Sequence, residues 1–371
     1  MILHIFLFVA GLGILIWGAE ILVRGASGLA ASFGISKVII GLTVVSFGTS
    51  APEMAVSLQS GFKGQTDLLL GNVLGSNIAN ILLILGATAL VAPLRVDAKL
   101  IRADVPLMIA MTVTVFLMVL DGVLARWESL VLALVLVGYG WFLSRESRAE
   151  VPKDQEKATT PKWRLWLYLA AGLVCLVLGA RWLVDSAVVF ATALGVSELL
   201  IGLTVVAIGT SLPELATSVV AALRGERDIA VGNVVGSNIM NLLAVLGVTG
   251  AIIPADIPVS EQAMFFDFPV MLAASIACFP IFFSRNRIRR WEGAIFLGYF
   301  ILYLTYLILE STQNIVLETF RQGMLLFVLP LTAVTLTTIL VREIRRRYVI
   351  MRRNRKESGA REGGGPESPG R

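Results

Sequence analysis

The chain has 371 residues, a formal net charge of +5 and hydrophobic residues at 56% of its positions. Its mean hydropathy of +0.81 lies far above that of a soluble domain, which predicts an integral membrane protein. Most of the basic residues fall in loops and in the C-terminal tail, so the charge does not predict nucleic-acid binding. The single histidine, His4, lies at the N-terminus, which excludes imidazole metal sites and histidine-based catalysis.

Apolar runs of about twenty residues, the length that crosses a bilayer as a helix, recur along the whole chain. The first run lacks the basic start and the cleavage site of a secretory signal, so we expect it to remain as a span. Cys175 and Cys278 fall within such runs, where buried thiols without a disulfide are expected. The predicted spans are 3–27, 37–60, 68–92, 104–121, 128–144, 165–192, 198–222, 229–253, 264–284, 291–309 and 323–341.

The first ten spans divide into two related units of five. Residues 41–86 recur at 202–247 with an offset of 161, and 25 of the 46 positions are identical. Because five is an odd number, two such units in tandem cross the membrane in opposite directions, which is the inverted-repeat design of secondary transporters. We therefore predict an all-α integral membrane protein with two inverted-topology repeats of five transmembrane helices and an extra C-terminal transmembrane helix. The predicted divisions are 1–144 and 165–310 for the repeats, 145–164 for a cytoplasmic linker, 323–341 for the additional helix and 342–371 for a basic, disordered cytoplasmic tail.

Lysine and arginine are distributed unevenly between the two sides of the predicted membrane. One side has the linker, the tail and several basic loops, whereas the other has little beyond Lys63, Arg126 and Arg321. Cytoplasmic loops of membrane proteins carry the excess of positive charge. The N-terminus is therefore predicted outside and the C-terminus in the cytoplasm of a plasma (inner) membrane, with the tail as an anchor to anionic lipid.

Each repeat has a carboxylate in the middle of its second apolar span, Glu53 in the sequence GTSAPE and Glu214 in GTSLPE. An ionised carboxylate at mid-span costs roughly 2.5–3.5 kcal/mol on insertion scales, so its recurrence in the same context indicates function. Pro52 and Pro213 lack an N–H and clash with the carbonyl four residues earlier, so we expect both helices to break there. The same residues also fit a capping box that restarts a helix, and this role is compatible with ion binding.

Asparagine and serine recur at four-residue spacing on the third span of each repeat, where they form one polar stripe. Glycines beside this stripe allow close helix approach. For Asn72, Asn77, Asn233 and Asn238, hydrogen bonding between helices explains the sequence as well as ion binding does. The stripes are Asn72, Ser76 and Asn80 in the first repeat and Asn233, Ser237 and Asn241 in the second, with Gly71, Gly75, Gly232 and Gly236 beside them.

The predicted site contains carboxylates, hydroxyls, amides and freed carbonyls, without a thiolate, an imidazole or a fixed positive charge. Calcium takes about six to eight such oxygen ligands. The charge of two carboxylates is balanced either by one divalent cation or by two monovalent cations, so the two kinds of cation compete for the site. Such competition at a site with alternating access produces antiport. A cation channel, or an intramembrane hydrolase that uses both carboxyl groups as a catalytic pair, is the alternative from a different class.

The pair GTSAPE…GSNIAN and GTSLPE…GSNIMN resembles the alpha repeats of the calcium/cation antiporter superfamily, and within it the prokaryotic sodium/calcium exchangers. The resemblance implies that the protein is a transporter and not an enzyme. It implies exchange of Na⁺ for Ca²⁺ by alternating access, in which the first and sixth spans slide. It implies no cofactor, and the only ions involved are the transported ones. Coupling to H⁺ or K⁺ on the same fold is the near alternative. Potassium-dependent relatives usually have aspartate where this chain has Asn241, and proton-coupled relatives have an extra glutamate that this chain lacks. The ligands that the resemblance implies are Thr49, Ser50, Glu53, Ser76 and Asn80, with Thr210, Ser211, Glu214, Ser237 and Asn241.

Overall fold

The computed structural model describes residues 1–149, 160–196, 205, 207–284 and 286–362. Among these residues, nine helices are long and apolar enough to cross a membrane, and one bent helix pair makes a tenth span. The all-α membrane architecture that hydropathy predicts is therefore confirmed. The middle of the linker, the last residues of the tail and the first part of the predicted span 198–222 lie outside the described residues.

The helices follow the predicted spans closely. In the first half they are α1 (Ile2–Phe33), the bent pair α2 (Lys37–Thr49) and α3 (Ala51–Phe62), α4 (Thr66–Val91), α5 (Ala98–Asp121) and α6 (Arg126–Ala149). In the second half they are α7 (Lys162–Ala193), α8 (Ala207–Gly209), α9 (Leu212–Leu223), α10 (Arg227–Ile252), α11 (Ala263–Phe283), α12 (Arg290–Ser311), α13 (Leu317–Gly323) and α14 (Leu329–Glu362).

The third helix of each repeat lies at the centre of the molecule. The most apolar stretch of α10 is completely buried and that of α4 is 72% buried, whereas none of the corresponding stretch of the last span is buried. Helices enclosed by other helices have room for polar residues that lipid would not accept. The predicted polar stripes therefore face protein and not the bilayer.

Both central helices change their winding at the same point of the repeat. A π-helical stretch covers Asn80–Leu85 in α4, and another covers Asn241–Leu246 in α10. The two stretches are related by the 161-residue offset of the repeated sequence. Single π-turns within α-helices occur often at functional sites, and each of these begins at a predicted ligand.

Two short antiparallel ribbons join the halves of the chain. The strand β1 (Leu94–Arg95) pairs with β4 (Arg287–Ile288), and β2 (Val123–Leu124) pairs with β3 (Ile257–Pro258). In the predicted topology β1 and β4 belong to cytoplasmic loops, and β2 and β3 belong to loops on the outer side. Each ribbon thus joins loops that are predicted to lie on one side of the membrane.

The last helix is longer than the predicted span. Helix α14 continues to Glu362, beyond residue 341, and the rest of the predicted tail lies outside the described residues. The physical reason is composition, because arginine, lysine and glutamate are good helix formers and the first glycine of the tail comes only at Gly359. The charge of this segment does not prevent it from extending the last span.

Candidate ion-binding site

Each GTSxPE motif lies where a helix is interrupted. Helices α2 and α3 meet at an angle of 43°, and Pro52 occupies the first turn of α3, where a missing N–H costs nothing. Pro213 occupies the same place in α9. Glu53 and Glu214 follow in these first turns, each with only 1% of its surface exposed. A helix N-terminus favours a negative charge, so the break itself helps to hold a carboxylate within the membrane.

The two motifs face each other. The hydroxyl of Ser50 donates to Oε1 of Glu214 at 3.3 Å, and the hydroxyl of Ser211 donates to Oε1 of Glu53, also at 3.3 Å. Ser211 also contacts the hydroxyl of Ser76 on α4 at 3.3 Å. Neither Ser50 nor Ser211 makes a side-chain capping bond to its own helix. The hydroxyls therefore connect the repeats instead of restarting the broken helices.

Asparagines of the central helices form hydrogen bonds to the backbone carbonyls of the two glutamates. The amide of Asn72 donates to the carbonyl of Glu53 at 3.0 Å and to the hydroxyl of Ser57 at 2.9 Å. Asn233 repeats this arrangement with the carbonyl of Glu214 at 3.5 Å, and its own oxygen accepts from Thr49 at 3.2 Å. Hydrogen bonding between helices is thus the observed role of both asparagines.

The other two asparagines differ from each other. The amide of Asn77 donates to the carbonyl of Val73 within its own helix at 2.8 Å. The amide of Asn238 lies 3.6 Å from the sulfur of Met108 on α5, and its oxygen accepts from the amide of Asn80 at 3.4 Å. Asn238 therefore connects the two central helices, whereas Asn77 does not.

Several buried oxygens of the motifs have no hydrogen-bond donor among the described residues. A buried acceptor without a partner costs about 1–3 kcal/mol, and more when it is charged. Such a group of oxygens in one enclosed region is the arrangement that a hard cation would satisfy. These atoms are Oε2 of Glu53, Oε2 of Glu214, Oδ1 of Asn80, Oδ1 of Asn241 and Oγ of Ser237.

The structure brings most of the predicted ligands into the interior. Thr49, Ser50, Glu53, Ser76, Asn80, Ser211, Glu214, Ser237 and Asn241 are buried, and Thr210 is half-buried at the break before α9. The described residues contain no group of three or more histidine, cysteine, aspartate or glutamate side chains that could hold a metal. Two carboxylates supported by neutral oxygens therefore characterise this site.

Sequence reasoning missed some polar neighbours of the site. Ser57 and Ser218 accept from the asparagine amides, and each lies four residues after its glutamate, one helical turn away. Thr217 is fully buried, and its hydroxyl has no partner among the described side chains. The four-residue spacing from glutamate to serine, present in both repeats, was the signal that could have identified the serines.

The comparison of the sequence with protein families gives one clear match. A sequence model described as sodium/calcium exchanger protein matches residues 3–145 and 164–309, which together cover nearly all of both predicted repeats. The match stops before the last span. It therefore covers the part of the chain in which the repeated motifs lie.

Relatives and solved structures agree with this match. The chain is 44% identical to the putative antiporter CaxA of Alkalimonas amylolytica, over 81% of this chain and 97% of CaxA. It is 41% identical to the inner membrane protein YrbG of Escherichia coli (strain K12), over 83% and 97%. A structure of the sodium-calcium exchanger NCX_Mj has a TM-score of 0.72 at 30% identity and covers 82% of this chain and 98% of that one. The chain belongs to the sodium/calcium exchanger family.

Proposed function

We propose that this protein is a secondary antiporter that exchanges Na⁺ for Ca²⁺ by alternating access. The observation that carries the proposal is the reciprocal contact between repeats, in which a serine of each motif binds the carboxylate of the other. Two carboxylates in one enclosed site balance one calcium ion or two sodium ions. Because either load satisfies the same charge, release of one permits binding of the other.

The proposed ligands are the oxygens of both motifs. The carboxylates supply charge, and hydroxyls and side-chain amides complete the six to eight oxygens that calcium prefers. The buried oxygens without hydrogen-bond donors support this assignment. The ligand set is Thr49, Ser50, Glu53, Ser76 and Asn80 from the first repeat, with Thr210, Ser211, Glu214, Ser237 and Asn241 from the second.

Similar proteins support the same ions and location. The related structures of NCX_Mj include ones soaked with Na⁺ and Ca²⁺ and ones soaked with Na⁺ and Sr²⁺. YrbG is an inner membrane protein. We place this chain in the plasma (inner) membrane, with its N-terminus outside and its C-terminus in the cytoplasm. The five-plus-five inverted arrangement belongs to this proposal and is supported by the two ribbons, whose strands correspond under the repeat.

Transport by the purified protein in liposomes tests the proposal. With sodium inside the vesicles, we expect an outward sodium gradient to drive calcium uptake, whereas imposed H⁺ or K⁺ gradients alone drive none. Glu53→Gln and Glu214→Gln keep the side-chain shape but remove the charge, so each is expected to abolish uptake. Glu128→Gln is a matched control, because Glu128 is also buried but caps its own helix through the N–H of Ala125 at 2.9 Å.

Three results would contradict this function. Calcium uptake that persists in both glutamate variants would show that Glu53 and Glu214 do not bind the transported ion. Uptake driven by H⁺ or K⁺ would keep the fold and change the coupling ion. Calcium flux that needs no counter-gradient and does not saturate would indicate a channel.

A further inference from the structure

The last span stands apart from the rest of the molecule. The family match ends at residue 309, and none of the most apolar stretch of this span is buried. Helix α14 packs along α11, a hydrogen bond joins its Thr332 to Tyr299 of α12, and its Leu336 packs against the core. Cavities lined by residues of α11, α12 and α14 leave this interface incomplete.

Two adjoining cavities follow this interface. One has a volume of about 380 Å³ and the other of about 450 Å³. They share Trp291, Glu292, Thr335 and Ile339 as lining residues, so they form one continuous groove. We call it the α14 groove.

The inner part of the α14 groove is apolar and lies at the level of the spans. Ile281, Leu302 and Leu331 are among its walls. The hydroxyl of Thr332, also in the wall, donates to the carbonyl of Val328 in its own helix at 2.6 Å. Water gains little in such a groove because these walls offer it few hydrogen bonds, whereas a lipid chain buries its own apolar surface there.

The mouth of the groove is basic and lies on the side that is predicted to be cytoplasmic. Arg289, Arg342 and Arg346 line it together with two glutamates. Glu292 accepts from the backbone N–H of Arg289 at 2.7 Å, and Glu343 accepts from Arg346 at 3.4 Å. Both carboxylates are thus already engaged, and the three guanidinium groups outnumber them.

The α14 groove has an apolar inner part and a basic mouth at the predicted cytoplasmic surface, so it complements an amphipathic anion. Basic pockets between transmembrane helices on this side bind anionic headgroups, and arginine matches the geometry of phosphate oxygens. We propose that the α14 groove binds one anionic glycerophospholipid, with an acyl chain against Leu302 and Leu331 and the phosphate at Arg342 and Arg346. The lipid then completes the interface that protein side chains leave open.

Native mass spectrometry of the full-length protein in detergent tests this site, with phosphatidylglycerol and phosphatidylcholine as the two probes. We expect one phosphatidylglycerol to remain bound per chain and phosphatidylcholine to bind much more weakly. Each arginine near an anionic lipid contributes a factor of about five, so the double variant Arg342→Gln, Arg346→Gln should bind phosphatidylglycerol about thirtyfold more weakly. The control Arg102→Gln, Arg345→Gln removes the same charge from exposed arginines outside the groove.

A second variant tests the apolar part without changing charge. Gly298 lines the groove, and a Cβ placed there has no atom within 4 Å among the described residues. Gly298→Leu should therefore place its side chain in the groove and displace the lipid, while leucine also favours the helix. The matched control is Gly140→Leu on α6, where a Cβ likewise has no neighbour within 4 Å.

The proposal is overturned if the two phospholipids bind equally, or if the arginine pair and Gly298→Leu leave phosphatidylglycerol binding unchanged. A lipid-free dimer that Gly298→Leu dissociates would also overturn it, because a second copy of the chain would then occupy the groove. Both readouts are independent of ion transport, so failure here leaves the proposed antiport untouched.

Discussion

At the scale of single residues, the two serines before the prolines join the repeats. Ser50 and Ser211 each orient one oxygen of the opposite carboxylate and leave the other oxygen without a donor. A hydroxyl can also turn its own lone pairs toward a cation, because its hydrogen rotates. These serines are therefore suited both to position the carboxylates and to contact the ion.

We expect Ser50→Ala and Ser211→Ala each to weaken calcium binding by about tenfold, because a hydrogen bond to a charged group contributes about 1.5 kcal/mol or more. Binding of radioactive calcium to the purified protein measures this effect. Ser186→Ala is the control, since Ser186 is fully buried but its hydroxyl has no partner among the described residues. Equal affinity in all three variants would show that the serines do not act on the ion.

At the scale of elements, the first helix of each repeat packs against the other through glycine. Gly11, Gly18 and Gly25 recur every seven residues on α1. A Cβ at Gly18 would lie 2.7 Å from Cβ of Cys175, and a Cβ at Gly179 would lie 2.6 Å from the N atom of Leu15. This close approach makes α1 and α7 one unit, and sliding of these spans would move them together.

Two alanine substitutions on the same helix test this packing. Gly18→Ala forces α1 away from α7, so it should destabilise the protein by about 1–3 kcal/mol. Gly13→Ala meets no atom within 4 Å among the described residues and should stabilise the helix by roughly 0.5–1 kcal/mol. The unfolding temperature of the detergent-solubilised protein should fall for the first and hold or rise for the second. Identical shifts would mean that the α1–α7 contact is loose.

At the scale of the whole molecule, contacts between the halves are arranged by membrane side. Besides the two ribbons, Lys37 binds Glu226 at 2.7 Å, and Arg224 forms an ion pair with Glu20 near the predicted cytoplasmic surface. On the other surface, the N–H of Arg126 donates to Asp256 at 2.8 Å. Apart from Glu20, which lies within the first span, the residues of each contact belong to segments that the charge distribution assigns to a single side.

Labelling of introduced cysteines tests the orientation. A maleimide that cannot cross the membrane should label Lys63→Cys in intact spheroplasts, because the α3–α4 loop is predicted outside. It should label Arg102→Cys only after the membrane is opened, because that residue follows strand β1, which is predicted to be cytoplasmic. The unmodified protein is the control, since Cys278 is buried and Cys175 half-buried within spans. The reverse pattern would invert the topology.

The sequence by itself determined the spans, the repeated motifs and the residues that carry their chemistry. These properties are local, because a span needs only a continuous apolar run and a proline removes a backbone donor from the helix that contains it. The positions of Glu53 and Glu214 in first turns follow from the same local rules. The small differences at helix ends, such as Phe33 instead of residue 27 for α1, have little effect on the site.

Only the tertiary structure decided which groups meet. Ser50 and Glu214 are 164 positions apart, and hydropathy contains no information about which hydroxyl faces which carboxylate. The sequence also did not show that the amide of Asn72 donates to the carbonyl of Glu53. Its position in the polar stripe suited an ion ligand equally well. Such pairings depend on the distance between helices and on the rotation of each helix about its own axis. The packing of many side chains together sets both quantities.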